Sequence, residues 1–430
     1  MATRRRLYAP PGTGGGKEDH KTGPHADQHE GEDGNGVLDD GLMLWFPAPR
    51  SFTGEDVAEL HIHGGRACIE AVSMALTAMD GVRPAEPGEF TRRAFENGKM
   101  DLTQAEALAD LVAAETEGQR RQAMGQLSGA LSARCDGWRG DLIAVLSDVE
   151  ASIDFSEEEL PSSLLEAVES RVVTLKDNIN QYLDDGHKGE RLRLGLTAVI
   201  LGPPNVGKSS LLNRLAGRDA AIVAATAGTT RDVIEVHMDL GGIPISIADT
   251  AGLREAEGAI EEEGIRRALE RGRAADIKLL VFDGREWPDL DPETVALIDS
   301  DALVVCNKAD LGDPRGRSRK PLHIDKDGIK YPIYCVSAKT EAGLPEVLEG
   351  LEAMLRDRVN VGLSAPLTRA RHRAALTETA AALGRVGVEQ PIELIAEDLR
   401  LAANALGRIT GRVDVEDVLD RIFAEFCIGK

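Results

Sequence analysis

Residues 196–210 read LTAVILGPPNVGKSS, and the reading of this stretch decides the fold of the centre of the chain. Six mostly aliphatic residues end at Gly202. Gly202 through Ser209 then fit the pattern Gly, any four residues, Gly-Lys-Ser, and the helix-like SLLNRLAG overlaps its end. A buried strand running through a glycine turn into a helix is the context that a phosphate-binding loop requires. Glycines let backbone N–H groups ring the phosphates, Lys208 reaches the β and γ phosphates, and the Ser209 hydroxyl can ligate Mg²⁺. By itself the loop suits ATP and GTP equally.

Outward from the loop, further strand-like runs (ISIADT, KLLVFD, ALVVCNK, IYCVS) alternate with helix-like text, which predicts a doubly wound parallel sheet. Chemistry sits at their ends. Asp249, Thr250, Ala251 and Gly252 close ISIA, where the carboxylate can hold the Mg²⁺ shell and the Gly252 N–H can meet a γ phosphate. Asn307, Lys308, Ala309 and Asp310 close ALVVC. An Asp310 carboxylate accepts from guanine N1–H and the exocyclic amine, donors that adenine does not present there, so a mismatched base leaves a buried acceptor unpaired. Ser337, Ala338 and Lys339 form the companion base loop. Gly228, Thr229, Thr230, Arg231 and Asp232 fall between the phosphate loop and Asp249, where a switch threonine closes on Mg²⁺. The position after Gly252 is Leu253, which cannot hydrogen-bond water as the Gln of Ras-like enzymes does. A carboxylate among Glu261, Glu262 and Glu263 can take that task. A helix start that favours acids explains the same triplet.

At 430 residues the chain is too long for one core, and about three domains are expected. Hydrophobic residues are 42% and charged residues 29%, and no run approaches the ~18–20 apolar residues of a membrane span. The net charge of −23 argues against broad coating of a phosphate backbone. Five cysteines without a CxxC pair predict neither a disulfide framework nor a structural zinc site, and a reduced, cytoplasmic setting follows.

The opening segment carries Arg4, Arg5 and Arg6. From Gly12 to Gly36 it has no large aliphatic residue, so residues 1–36 are expected to be disordered. A transit peptide is poor in acids, whereas Glu18, Asp19 and Asp27 follow at once. The tract ending at Lys17 imitates a phosphate loop but has Pro11 and Glu18 where Gly and Ser or Thr belong. From Gly41 to Gly64, LMLWF and VAELHIH flank loop chemistry and read as short strands of a small α+β unit. His61 and His63 share a strand face without a further ligand at metal spacing, which favours plain polar strand residues. Helical periodicity then runs from about Leu102 to Asp185, with Leu142, Val145, Leu146, Val149 and Ile153 on one face. It resumes from Leu367 with Ile395, Leu399, Ala402, Leu406 and Ile409, then Leu419, Ile422, Phe423 and Phe426. The interval 311–330 reads as a charged, solvated loop.

With GPPNVGKSS, AGTTRD, DTAGLRE, NKAD and SAK inside helical flanks, plus FTGEDVAELHIHGG, PGEFTRRAF, DLTQAEALADL and the ending FCIGK, the chain resembles the MnmE (TrmE) tRNA-modification GTPases over roughly Val37 to Lys430. The resemblance implies a multidomain protein, α/β and all-α. A P-loop GTPase domain at 191–356 is inserted into a discontinuous helical domain at 98–190 and 357–430, preceded by a folate-binding-like α+β domain at 37–97. That family opens on a strand with a VIRxSG-like stretch. This chain has RRRLYAPPGTGGGKEDH there, so the folate unit is expected to be truncated.

The resemblance also implies function: a K⁺-stimulated GTPase, acting as a homodimer and as a heterotetramer with the flavoprotein MnmG. Together they place an aminomethyl or carboxymethylaminomethyl group at carbon 5 of the wobble uridine of certain tRNAs, with 5-formyl- or methylene-tetrahydrofolate as cofactor and no membrane. The implied GTP site comprises Asn205, Val206, Gly207, Lys208, Ser209, Ser210, Ala224, Ala225, Thr226, Ala227, Gly228, Thr229 and Thr230, together with the Asp249, Asn307 and Ser337 loops. Mg²⁺ falls to Ser209 and Thr230, and K⁺ to Asn205, Ala224, Thr226 and Thr229. A monovalent cation there neutralises charge that an arginine finger handles elsewhere. Glu261 matches the water-orienting glutamate, Arg231 and Arg254 match switch and interface positions, and Glu59, Lys99 and Lys430 match folate contacts. Cys427 matches the cysteine assigned to the modification chemistry, although a cysteine beside Phe423 and Phe426 also reads as core. A ribosome-assembly-type GTPase shares the nucleotide motifs, but no GxxG-bearing KH text is appended and the acidic balance offers no long basic stripe.

Overall fold

The computed structural model describes residues 2–8, 36–154, 162–217, 221–222, 235–249, 275–312, 314, 321–359, 366–387, 390–413, 419, 422–423 and 426. The chain divides into two compact units, Met1–Ala105 with Asp414–Lys430, and Glu106–Val413. Among the described residues no helix is long and apolar enough to cross a membrane.

In the first unit, strands β1 (Ala2–Tyr8), β2 (Val37–Phe46) and β3 (Val57–His61) form an antiparallel sheet in the order β1-β2-β3. The reading of the opening residues as disordered is corrected here: Ala2 to Tyr8 pair with β2, from Ala2↔Leu44 through Arg5↔Gly41. The arginine-rich text hides this strand because its stability comes from the backbone groups of β2, a non-local partner, and charged side chains suit an edge. Residues 9–35 lie outside the described set. Helices α1 (Arg66–Thr77) and α2 (Glu89–Glu96) complete the unit. At the head of α2, Glu89 takes Arg83 and Arg93, each at 2.8 Å, and these hydrogen bonds, Arg83 first, bring its carboxyl down to about 2. The apolar ending is buried as its spacing predicts, with Leu419, Ile422, Phe423 and Phe426 all in the core.

In the second unit, helices α3 (Leu102–Ala113, entered from the first unit), α4 (Glu117–Leu127), α5 (Ala130–Asp154), α6 (Ser162–Leu183) and α7 (Lys188–Leu194) precede the large sheet. Strands β4 (Leu196–Leu201), β5 (Ala221–Ile222), β6 (Glu235–Leu240), β7 (Ile243–Asp249), β8 (Ile277–Asp283), β9 (Ala302–Asn307), β10 (Leu322–Lys326) and β11 (Ile329–Cys335) stand in the order β10-β11-β9-β8-β4-β7-β6-β5. The five central strands from β11 to β7 are parallel, and β5, β6 and β10 add antiparallel edges. Strand β10 replaces part of the predicted charged loop: Leu322 and Ile324 alternate with His323 and Asp325, and pairing with β11 selects that half-apolar face.

The central strands are apolar on both faces, as a sheet covered on both sides requires. Leu196, Ala198 and Ile200 of β4 enter one core, while Val199 and Leu201 enter the other. Strands β8 and β9 alternate in the same way, Leu279 and Val281 against Leu280 and Phe282, Leu303 and Val305 against Val304 and Cys306. After the sheet come α10 (Leu344–Arg358), α11 (Ala370–Leu383) and α12 (Ile392–Thr410), with α9 (Pro292–Ala296) a short helix between β8 and β9. A separate helical core joins Leu142, Val145 and Val149 of α5 to Ile179 of α6, Leu376 of α11 and Leu399 of α12. The helical periodicity holds on both sides of the sheet.

Buried polar contacts tie the helical text before the sheet to the text after it. Glu106 receives Arg371 through two hydrogen bonds of 2.6 Å and His372 Nε2 at 2.9 Å. Burial opposes its charge, but His372 and Arg371 outweigh burial and hold the carboxyl well below its ordinary range. Burial, aided by Arg371 and Arg369, lowers the pKa of His372 against the opposing pull of Glu106. Asp110 takes Arg369 at 2.8 Å and Arg193 at 3.3 Å.

Candidate nucleotide site

The site begins where β4 stops. Gly202 has φ +146°, and a Cβ there would meet the Val281 carbonyl oxygen at 2.1 Å, so the turn out of the sheet admits only glycine. Asn205 takes φ +62° without being glycine. Gly207 (φ +96°) ends the loop, and a Cβ on it would lie 2.4 Å from Asn307 Nδ2. Helix α8 (Lys208–Ala216) then starts, its first-turn N–H groups directed back toward the loop. The buried Lys208 ammonium donates to the carbonyls of Gly202 (2.9 Å) and Pro203 (2.8 Å). The Ser209 hydroxyl donates to Asp249 Oδ2 at 2.5 Å, with Asp249 buried at the end of β7. The hydroxyl and the carboxylate predicted to share Mg²⁺ are therefore in contact.

Two side chains join the phosphate loop to the base loops. Asn307 Nδ2 donates to the Val206 carbonyl at 2.9 Å, while Asn307 Oδ1 accepts from the Ala338 N–H at 3.0 Å. Lys308 Nζ donates to the Asn205 carbonyl at 2.6 Å and to Asp283 Oδ2 at 2.9 Å. The Ser337 hydroxyl donates to Asp310 Oδ1 at 2.7 Å, which orients that carboxylate, and Ala309 N donates to Val336 O at 3.1 Å. Between them lies a cavity of about 560 Å³ lined by Gly207, Ser210, Asn213, Arg214, Asn307, Lys308, Asp310, Leu311, Ala338 and Lys339. Residues of the Gly-Lys-Ser loop and of the Asn307 and Ser337 loops thus open on one space.

Sequence reasoning missed two participants. Arg214 Nε donates to the Ala338 carbonyl at 2.9 Å, and its guanidinium pairs with Glu341 at 3.1 Å. Asp283 is nearly buried and takes both Arg285 and Lys308. Their hydrogen bonds, Arg285 first, hold its carboxyl well below the ordinary range despite burial. Its signal was its place at the end of a strand, KLLVFD, beside the strand that ends in Asn307. Cys306, buried beneath the same edge, has its thiol pushed up to about 12 by burial and packs as a hydrophobe.

Ala224, Ala225, Thr226, Ala227, Gly228, Thr229, Thr230, Arg231, Thr250, Ala251, Gly252, Leu253, Arg254, Glu261, Cys427 and Lys430 lie outside the described residues. Of the folate candidates, Glu59 pairs with His61 at 3.3 Å and Lys99 donates to the Pro49 carbonyl at 2.8 Å. His63 Nδ1 stands 2.7 Å from Asp39.

A mostly parallel sheet with a Gly-Lys-Ser loop at its carboxyl edge and a carboxylate-bearing base loop beside it defines a phosphate-loop protein of the GTPase type. Family comparison agrees. The model of the MnmE helical domain matches residues 102–427, and that of the GTP-binding protein TrmE N-terminus matches residues 13–99. The chain is 55% identical over 399 residues to the tRNA modification GTPase MnmE of Paramagnetospirillum magneticum, covering 93% of this chain and 88% of that one. It is 52% identical to the protein of that name from Rhodospirillum rubrum over 429 residues, 100% of this chain and 90% of the relative. With Parvibaculum lavamentivorans the identity is 53% over 404 residues, 92% and 87% of the two chains. The chain belongs to the MnmE family of tRNA modification GTPases. The N-terminal match begins at residue 13, upstream of the Val37 at which the sequence motifs place it.

Proposed function

We propose that this chain hydrolyses GTP in the modification of tRNA, and that it does so in the cavity between the phosphate loop and the two base loops. The observation that carries the reading is the double tie of Asn307, to Val206 of the phosphate loop and to Ala338 of the second base loop, with Asp310 on the wall of the same cavity. Asp310 selects guanine, because its carboxylate offers acceptors only and adenine presents no paired donors to it. Lys208 meets the β and γ phosphates, Ser210 and the N–H groups of residues 205–209 surround them, and Lys339 flanks the base.

The contact between Ser209 and buried Asp249 presents hard oxygen donors, a donor set that fits Mg²⁺, with Thr230 as the further ligand. Bound there, Mg²⁺ neutralises charge on the β and γ oxygens. Asn205, fixed by the Lys308 bond to its carbonyl, holds K⁺ together with Ala224, Thr226 and Thr229, and Glu261 orients the attacking water. The chain works as a cytoplasmic homodimer with an MnmG-type flavoprotein on the wobble uridine of tRNA, with Cys427 in the modification chemistry. The 37–97 unit with Lys430 holds a tetrahydrofolate through Glu59 and Lys99, and the 191–356 nucleotide domain moves relative to the 98–190 and 357–430 helices during hydrolysis.

GTP turnover with K⁺ or Na⁺ as the only monovalent cation tests the ion assignment. Faster turnover in K⁺, lost in Asn205→Ala, is expected; equal rates in both salts reject it. Loss of wobble-uridine modification in cells carrying Glu261→Ala or Cys427→Ser is expected as well, and its persistence in both rejects those two assignments.

A further inference from the structure

We infer that Asp283 is a positioning residue for the guanine nucleotide: acting through the Lys308 ammonium, it holds the phosphate loop and the base loop in fixed relation. The inference rests on the guanine-nucleotide reading of the cavity.

Asp283 is the last residue of β8 and pairs in register with Asn307, the last residue of β9. Asp283 is 3% exposed, and its carboxylate takes four donor contacts. Oδ2 takes Arg285 Nη2 at 2.6 Å and Lys308 Nζ at 2.9 Å. Oδ1 takes the backbone N–H and Nε of Arg285 at 3.1 and 3.0 Å. The two residues that donate to this carboxylate therefore do different work. The Arg285 contacts stop it from rotating, and the remaining contact aims the ammonium of Lys308.

That ammonium also donates to the Asn205 carbonyl, at 2.6 Å. Asn205 (φ +62°) and Lys308 (φ +63°) are both non-glycine residues in the left-handed region, a conformation that such residues adopt only when surrounding contacts fix it. The chain Arg285–Asp283–Lys308–Asn205 supplies those contacts for both loops at once. Without the carboxylate, Lys308 keeps its charge but loses the partner that selects one rotamer. The carbonyl of Asn205 then loses its donor for part of the time, and the two loops no longer present a single cavity. Such loosening lowers affinity for ground state and transition state alike.

The test uses the full-length chain as wild type, Asp283→Asn, Lys308→Met and the double variant. Asparagine keeps the size of the side chain and an oxygen that accepts from the Arg285 N–H, so the turn at residues 284–286 stays capped while the charge goes. Binding of mant-GDP is titrated by fluorescence, and GTP turnover is followed in K⁺ to separate KM from kcat. Asp283→Asn is expected to weaken mant-GDP about tenfold, the scale of one charge-assisted hydrogen bond, and to raise KM by a similar factor. At saturating GTP, kcat should stay within about twofold of wild type. The double variant should bind no more weakly than Lys308→Met alone, since both changes break one chain of contacts. Unchanged mant-GDP affinity in Asp283→Asn, or a double variant showing the product of the two single losses, overturns the inference. Should Asp283→Asn not fold, Asp283→Ser is held to the same expectations. A wild-type chain that fails to bind mant-GDP overturns the guanine reading itself, a separate result from wild-type binding with an indifferent Asp283 variant.

Discussion

The phosphate loop closes on residues a few places away, Lys208 reaching back to the carbonyls of Gly202 and Pro203, whereas Glu106 meets Arg371 and His372 at separations of 265 and 266 residues. Both regions hold buried charge. In the loop the charge is held by carbonyls of the loop itself, next to the residues that line the cavity, and in the helical region it is consumed by partners far away in the sequence. The first arrangement binds; the second locks together the chain before and after the inserted sheet. A row of glutamines on α4 extends the lock. Gln119, Gln122 and Gln126 donate to the carbonyls of Arg193 (3.0 Å), Gly189 (3.1 Å) and Pro366 (3.0 Å), on the segments that enter and leave the sheet.

The largest expected effect breaks the helical side of this comparison. Glu106→Ala leaves Arg371 and His372 without their buried acceptor, and loss of one partner from such a cluster costs about 3–5 kcal/mol. Chemical denaturation followed by far-UV circular dichroism should show a matching fall in stability, while mant-GDP affinity in the folded protein stays near wild type. Next is the loop side. Lys208→Ala removes the cation proposed to meet the phosphates and is expected to lower kcat/KM for GTP about 10²- to 10³-fold with little change in stability, measured by phosphate release. If each variant damaged both properties equally, the division between a binding region and a locking region would fail.

Proton linkage sharpens the contrast. The folded pKa of Glu106 lies below its ordinary 4.5 and that of His372 below its ordinary 6.5. For both groups the unfolded chain binds more protons than the folded one in the acidic range, so stability rises with pH there. The contribution of His372 is complete above about pH 6.5 and that of Glu106 above about pH 4.5, and each fades as pH falls through the folded value. Denaturation midpoints should fall as pH drops from 7 to 3, and below about pH 4.5 the slope should flatten in Glu106→Gln. A slope unchanged by that substitution would remove the cluster as the acid-sensitive element. The smallest effect belongs to Gln122→Ala, which deletes one neutral hydrogen bond to Gly189 and should cost about 0.5–1.5 kcal/mol in the same assay.

The two regions also differ in how far the sequence discloses them. The phosphate loop was legible because its geometry is local: each strand end carries its own motif, and Gly202 and Gly207 are dictated by a turn and a close approach. The helical periodicities were legible for the same reason, as repeats of three and four positions. The Glu106 cluster was not, since nothing near Glu106 distinguishes it from a solvated acid until α11 brings Arg371 beside it. Strand β1 was hidden by composition for an equivalent reason, its stability lying in the edge of β2. Asp283 falls between these cases, placed at a strand end by the sequence but given its partner Lys308 only by the register of β8 and β9.

The claim that Asp310 and the Asn307 tie make this a guanine-specific hydrolase is tested most directly by turnover of GTP and ATP, each as sole nucleotide, in K⁺ with Mg²⁺. A ratio of kcat/KM favouring GTP by about 10⁴ is expected, because the wrong base leaves the Asp310 acceptors unpaired. Comparable turnover of the two nucleotides would contradict it.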